Sequence, residues 1–204
     1  MNFDPIIGFS AVCLSYLAGA IPFGLLFARL FADVDVRTIG SGNIGATNVL
    51  RASGKKAAVL TLLADCLKGF LPVFVVHSLF HNDVISALTG AAAVVGHNYP
   101  VYLKFKGGKG VATSFGVVLA VTPLIGLACL IIWLAAAFFW RYSSLSSLIA
   151  FSCYPIITLS ISADSHKPLK ALSLFIFGMM YYRHRENIKR LLAGTESKIG
   201  QRRT

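Results

Sequence analysis

Seven apolar windows, near residues 6–28, 57–77, 84–100, 111–121, 122–140, 145–162 and 168–182, take up most of this 204-residue chain. A helix needs about 20 predominantly apolar residues to cross the hydrocarbon core of a bilayer. Backbone facing lipid must also satisfy its own polar groups, which leaves helices as the natural spanning element for such windows. The pattern predicts an all-α, polytopic integral membrane helix bundle with seven spans. The fourth window is too short for a straight crossing, and Thr122-Pro123 divides it from the fifth. It predicts a short tilted helix or a re-entrant segment. Small residues in Ala18-Gly19-Ala20 and Gly90-Ala91-Ala92-Ala93 suit close helix contact. Composition agrees: 56% of residues are hydrophobic and 13% charged, against about 45–50% and 25% in an ordinary soluble domain. Mean hydropathy is +0.71. A soluble enzyme and a charge-driven disordered chain are both excluded. No internal repeat or linker appears, so residues 1–204 read as one membrane-embedded domain.

The charge is lopsided, with 19 Lys and Arg against 8 Asp and Glu, a net +11. In a soluble protein this would suggest nucleic acid; in this chain the excess belongs beside anionic headgroups, and no nucleic-acid partner is expected. Arg29, Arg37, Arg51, Lys55, Lys56, Lys104, Lys106, Lys109 and Arg141 fall in loops on one side. The tail adds Arg183, Arg185, Lys189, Arg190, Lys198, Arg202 and Arg203, giving 16 in all. The opposite loops hold only Lys167 and Lys170. The positive-inside rule then places the N-terminus outside and the C-terminus inside. Six crossings would carry the basic tail to the other side. The first window follows Asn2, Asp4 and Pro5 with no basic lead, and reads as a retained span, not a cleaved signal. Cys13, Cys66, Cys129 and Cys153 all sit in apolar runs without metal-ligand spacing and read as free, buried thiols.

Three polar segments on the basic side carry the candidate chemistry, near residues 38–52, 96–113 and 183–192. The first contains Ser41-Gly42-Asn43-Ile44-Gly45-Ala46-Thr47-Asn48-Val49-Leu50-Arg51. Its glycines allow backbone N–H groups to converge on an anion, its hydroxyls and amides add neutral hydrogen bonds, and Arg51 supplies a planar fork for phosphate. A polar turn feeding a helix accounts for it equally well. The second runs from Gly96-His97 to Gly107-Gly108-Lys109-Gly110 before an apolar helix, the order of a phosphate cradle. It is not a Walker A loop, because Leu103 stands where the first glycine is required. In the third, His184 and Asn187 are three apart and share a helix face. His184 suits an anion contact or proton relay.

Within the second window Asp65 and Lys68 form a same-face pair at membrane depth, where charges are costly and usually paired or functional. A structural pair supporting the site is the favoured reading. No metal-ligand set emerges from the acidic residues and histidines, and there is no G-x-S-x-G elbow. Metal hydrolase and serine esterase readings are therefore poor. A basic mouth with glycine-interrupted spans would also suit a small transporter or channel for an organic phosphate. Lys68 is the feature that favours it; the placement of all three polar segments on one side counts against it.

The ordered set of segments resembles the bacterial acyl-phosphate:glycerol-3-phosphate acyltransferase family, the PlsY type. The resemblance rests on Ser41 through Arg51, on Gly96-His97, Pro100 and Phe105–Thr113, and on His184 with Asn187. Asp65-x-x-Lys68-Gly69 and Arg141-Tyr142-x-Ser144-Leu145 add to it. The resemblance implies transfer of a fatty acyl group from acyl phosphate to the 1-hydroxyl of glycerol 3-phosphate in phospholipid biosynthesis. It implies lysophosphatidate and phosphate as products, no cofactor or metal, and a site facing the cytoplasm in the bacterial inner membrane. Functional handover from an acyl-phosphate-producing enzyme is the protein partnership it suggests. Ser41, Arg51, Lys109, His184 and Asn187 are the implied catalytic set. Asn43, Thr47, Asn48, Lys104, Gly107, Gly108, Gly110 and Ser144 are the implied substrate contacts, the three glycines acting through backbone N–H groups. The His-x-x-x-x-Asp pattern of many thioester-dependent acyltransferases is absent after all five histidines.

Overall fold

A computed structural model describes residues 5–161 and 166–201. Arg202 and Arg203 of the basic tail, and Asn2 and Asp4, lie outside the described residues. Every regular element described is helical. In chain order these are α1 (Pro5–Ala20), α2 (Phe23–Ala32), a 3-10 turn (Val36–Thr38), α3 (Ala46–Phe80), α4 (Asp83–Asn98), a second 3-10 turn (Val101–Leu103), α5 (Val111–Val121), α6 (Pro123–Trp140), α7 (Ser143–Ile161), α8 (Lys167–Arg183) and α9 (Arg185–Leu192).

Each apolar window forms helix, but two boundaries differ from the sequence expectation. The first window is not one continuous helix: it breaks at Ile21-Pro22, because Pro22 has no N–H to donate and disfavours helical backbone in the residue before it. The second is longer than 57–77. Its helix α3 begins at Ala46, so the latter half of the first polar segment is helical, and Gly54 interrupts the ladder at φ 82° and ψ −177°. That backbone conformation is open essentially to glycine alone. Thr122-Pro123 divides α5 from α6 as expected, with Pro123 in the first helical turn.

Among the described residues, four stretches are long and apolar enough to cross a bilayer: Pro5–Ala32, Ala46–Phe80, Pro123–Trp140 and Ser143–Ile161. Helices α4 and α8 have 16 and 17 residues and α5 has 11. The bundle pairs α3 with α5, α1 with α4 and α6 with α7. Small residues make these approaches possible, since a Cβ on Gly19 would lie 2.3 Å from the Ala93 carbonyl oxygen, and one on Gly96 would lie 2.2 Å from that of Tyr16. Leu63, Leu71, Leu79, Phe138 and Phe139 remain exposed, as expected of a surface that faces lipid. All four cysteines are free thiols, and Cys129 is fully buried.

The Asp65–Lys68 pair repairs the break in the first window. Lys68 Nζ lies 2.7 Å from Asp65 Oδ1 and donates to the Ile21 carbonyl at 2.7 Å. Asp65 and Lys68 are only 2% and 6% exposed. A carbonyl released from its helical ladder thus receives a charged donor, whose own charge is balanced by its neighbour on α3. Lys68 therefore ends on protein groups, which removes the feature that favoured transport.

Candidate functional site

A cavity of about 410 Å³ opens at the end of the bundle where the polar segments meet. Its polar wall includes Ser41, Asn43, Thr47 and Asn48 from the first segment, with Arg51 one turn further along α3. Lys109 and Gly110 enter from the loop before α5, Ser144 from the start of α7, and His184 and Asn187 from the α8–α9 junction. Ala58, Val59, Leu62, Val111 and Trp133 form an apolar wall. The chamber therefore offers both polar and apolar surface to a ligand.

The first segment is shaped mainly by Asn48. Its Oδ1 accepts the Ser41 N–H at 3.0 Å, while Nδ2 donates to the carbonyls of Val36, Ile39 and Asn43 at 2.9–3.0 Å. Asn43 Oδ1 accepts the Gly45 N–H at 2.8 Å. The Asn48 amide is committed at both atoms to closing this loop, and Asn43 supports it through Oδ1. Beneath it, Leu25, Ala28, Val36, Ile44, Val49, Ala57 and Ala58 form a separate apolar cluster, which anchors the loop to α2 and α3. Thr47 Oγ1 lies 3.2 Å from Ser143 Oγ and ties the segment to α7.

Lys109 Nζ donates to Asn187 Oδ1 at 2.5 Å. Asn187 Nδ2 in turn donates to Glu196 Oε1 at 2.6 Å, as does Ser144 Oγ at 2.7 Å, and Arg190 Nε donates to Glu196 Oε2 at 2.7 Å. Burial would push the Glu196 carboxyl up, but hydrogen bonds from Ser144, Asn187 and Arg190 outweigh it and hold it below the usual range. Burial pulls Lys109 down to about 8; Glu196 opposes this, while Arg190, Arg183 and Arg51 reinforce it. Burial likewise brings His184 down to about 3, with Lys109 adding to the effect. His184 Nδ1 sits 2.8 Å from the Met180 carbonyl, which can only accept. The ring therefore carries its proton on Nδ1 and leaves Nε2 as an acceptor.

Lys104, Gly107 and Gly108 do not line the chamber. Lys104 is exposed beyond the second 3-10 turn. The Gly108 N–H donates to the His97 carbonyl at 3.0 Å, and so is not directed at a ligand. A Cβ on Gly108 would lie 2.0 Å from His97 Nε2, and one on Gly107 2.2 Å from the His97 carbonyl oxygen. These glycines let the loop lie against α4. Glu196, Arg190, Trp133 and His97 join the cavity wall without having been foreseen. The one sequence signal for Glu196 is its rarity, an acidic side chain in a strongly basic tail. No three His, Cys, Asp or Glu side chains come together as a metal site among the described residues.

A model of the family described as glycerol-3-phosphate acyltransferase matches residues 9–194. The glycerol-3-phosphate acyltransferase of Dinoroseobacter shibae is 51% identical over 189 residues, 93% of this chain and 91% of that protein. That of Agrobacterium fabrum is 50% identical over 192 residues, 94% of this chain and 92% of its own. The crystal structure of PlsY (YgiH), an integral membrane glycerol 3-phosphate acyltransferase in its glycerol 3-phosphate form, superposes with a TM-score of 0.90 at 43% identity. It matches over 95% of this chain and 96% of that one. The lysophosphatidic acid form of PlsY gives a TM-score of 0.88 at 42% identity. Near-complete coverage at this level of identity, on the same helical frame, means that the chain belongs to the glycerol-3-phosphate acyltransferase family.

Proposed function

We propose that this chamber joins a fatty acyl phosphate to glycerol 3-phosphate, with seven crossings placing it at the cytoplasmic face of a bacterial inner membrane. As a family member the protein is an integral membrane glycerol-3-phosphate acyltransferase. The donor, the orientation and the residue roles are the proposal. One observation carries it. Segments some 60 and 75 residues apart in sequence close on a single cavity lined by both cationic and apolar side chains.

In this reading Arg51, Lys109 and Ser41 hold the phosphate of glycerol 3-phosphate. Asn187 orients Lys109, and Gly110 with the start of α5 faces the phosphate of the donor. His184 Nε2 accepts a hydrogen bond from the 1-hydroxyl and aims its oxygen. That oxygen attacks the acyl carbonyl carbon, the carbon–oxygen bond to phosphate breaks, and the hydroxyl proton ends on the departing orthophosphate. The mixed anhydride already carries a good leaving group, so no enzyme nucleophile is needed; positioning and charge stabilisation carry the rate. The apolar wall takes the acyl chain. Ser144, Thr47, Asn43 and Asn48 act as the frame. Residues 1–204 act as one domain, and an acyl-phosphate-producing enzyme supplies the donor.

The test is product analysis of purified protein with glycerol 3-phosphate and either acyl phosphate or acyl-CoA, with and without a chelator. Lysophosphatidate from acyl phosphate in chelator, with poor use of acyl-CoA, is expected; equal use of acyl-CoA or strict dependence on a divalent ion overturns the donor and mechanism. Arg51→Lys keeps charge but loses the donor fork. It should lose roughly ten- to a hundredfold in kcat/KM, the loss of a charge-assisted contact of about 1.5–3 kcal/mol. A fully active Arg51→Ala removes that residue from the site.

A further inference from the structure

Arg183 directly precedes His184 and counts, by sequence, as one more charge of a basic tail. Its guanidinium is not part of the cavity wall. Nε donates to the Gly108 carbonyl at 3.0 Å, and Nη2 donates to the carbonyls of Gly107 at 2.9 Å and Gly108 at 2.8 Å. The guanidinium also lies over the Tyr99 ring, its Cζ 5.0 Å from the centroid. A planar fork resting on an aromatic face is a rigid device, which lysine cannot reproduce. The loop is fixed from α4 as well, through the Gly108 N–H on the His97 carbonyl at 3.0 Å.

Holding a carbonyl also sets the direction of the N–H across the same peptide. There is no cis peptide among the described residues, and in a trans peptide the C=O and N–H point opposite ways. With the Gly108 carbonyl drawn to Arg183, the Lys109 N–H is turned away from Arg183. Lys109 and Gly110 line the cavity, whereas Gly108 does not. Without a Cβ, Gly108 gives little resistance to rotation of this peptide once the clamp is gone.

We propose that Arg183 is a positioning residue: it locks the Gly108–Lys109 peptide so that the Lys109 N–H, and with it the start of α5, faces a substrate phosphate. Successive N–H groups leading into a helix form an anion nest only when they point the same way. Arg183 therefore acts through the loop and touches no substrate. The inference rests on the acyltransferase reading above.

The experiment compares wild type, Arg183→Lys, Tyr99→Leu and, as a surface control, Arg185→Lys in detergent. It measures kcat, KM for each substrate, inhibition by inorganic phosphate and the thermal midpoint. Arg183→Lys should raise KM for one phosphate substrate and the inhibition constant of inorganic phosphate together, by about tenfold, with the thermal midpoint and kcat little changed. Because Gly110 and the start of α5 face the donor in the reading above, the KM that moves should be that of acyl phosphate. Tyr99→Leu should shift the same two quantities less, and stands in if Arg183→Lys does not fold. Arg185→Lys should match wild type. Unchanged KM and phosphate inhibition in a folded Arg183→Lys overturn the clamp, as does a change confined to the thermal midpoint or to kcat. Wild type that forms no lysophosphatidate defeats the acyltransferase reading itself, a result distinct from either.

Discussion

At the scale of single residues, Lys109 is both an anchor and a titrating group. Its ammonium is bonded to Asn187, yet burial and three nearby arginines lower its proton affinity to about 8 against the pull of Glu196. As pH rises through that value the free enzyme loses the lysine's charge, and with it attraction for phosphate. The expected outcome is a kcat/KM for glycerol 3-phosphate that declines above about pH 8, because kcat/KM reports groups of the free enzyme. A bound phosphate stabilises the ammonium, so the matching limb in kcat should lie at higher pH. Initial rates across the neutral and alkaline range check both. Lys109→Arg, which stays charged throughout, should move the limb upward if it retains activity. A kcat/KM that stays flat through the alkaline range would remove Lys109 charge from substrate binding. His184, near 3, stays neutral throughout this range and adds no limb of its own.

At the scale of elements, the sequence is most informative where lipid is the judge and least where contacts are made across space. Apolar windows mark helices because unsatisfied backbone is costly in hydrocarbon, and Thr122-Pro123 ends α5 because proline opens the next helix well. The glycines of Gly107-Gly108-Lys109-Gly110 were legible as an unusual loop, but their reason was not. Gly107 and Gly108 let the loop approach His97, a contact that no spacing reveals. Arg183 and Glu196 were similarly hidden, since each is defined by partners far from it in sequence or beyond the expected motif. Asp65 and Lys68 were legible as a pair, whereas the Ile21 carbonyl they serve was not. Lys68→Met would strand a buried Asp65 and should cost about 3–5 kcal/mol of stability. Lys68→Met with Asp65→Leu removes both charges, leaves the Ile21 carbonyl with the Phe23 N–H alone, and should recover part of that loss. Thermal midpoints in detergent separate the cases; a Lys68→Met variant as stable as wild type would refute the repair.

At the scale of the whole molecule, the cavity, the 3-10 turns and the α8–α9 junction share one end of the bundle, while the α3–α4 turn around His81 lies at the other. The sequence-based expectation that the basic end faces the cytoplasm leads to an experiment on orientation. In a cysteine-free background, Ser41→Cys and Lys106→Cys should resist an impermeant thiol reagent in intact cells, and His81→Cys should react. Ready labelling of the first two in folded protein would invert the topology.

The bond from Lys68 to Ile21 also has a consequence in time. A nascent chain delivers α1 and α2 to the translocon well before residue 68 leaves the ribosome. Until then the kink at Ile21-Pro22 has only the Phe23 N–H, 3.1 Å from the Ile21 carbonyl, and lacks its charged donor. Lys68, for its part, can cross hydrocarbon cheaply only beside Asp65 and a waiting carbonyl. The kink in the first window is therefore completed only once α3 has arrived beside it. A fragment that ends before α3 would leave the Ile21 carbonyl without its charged donor.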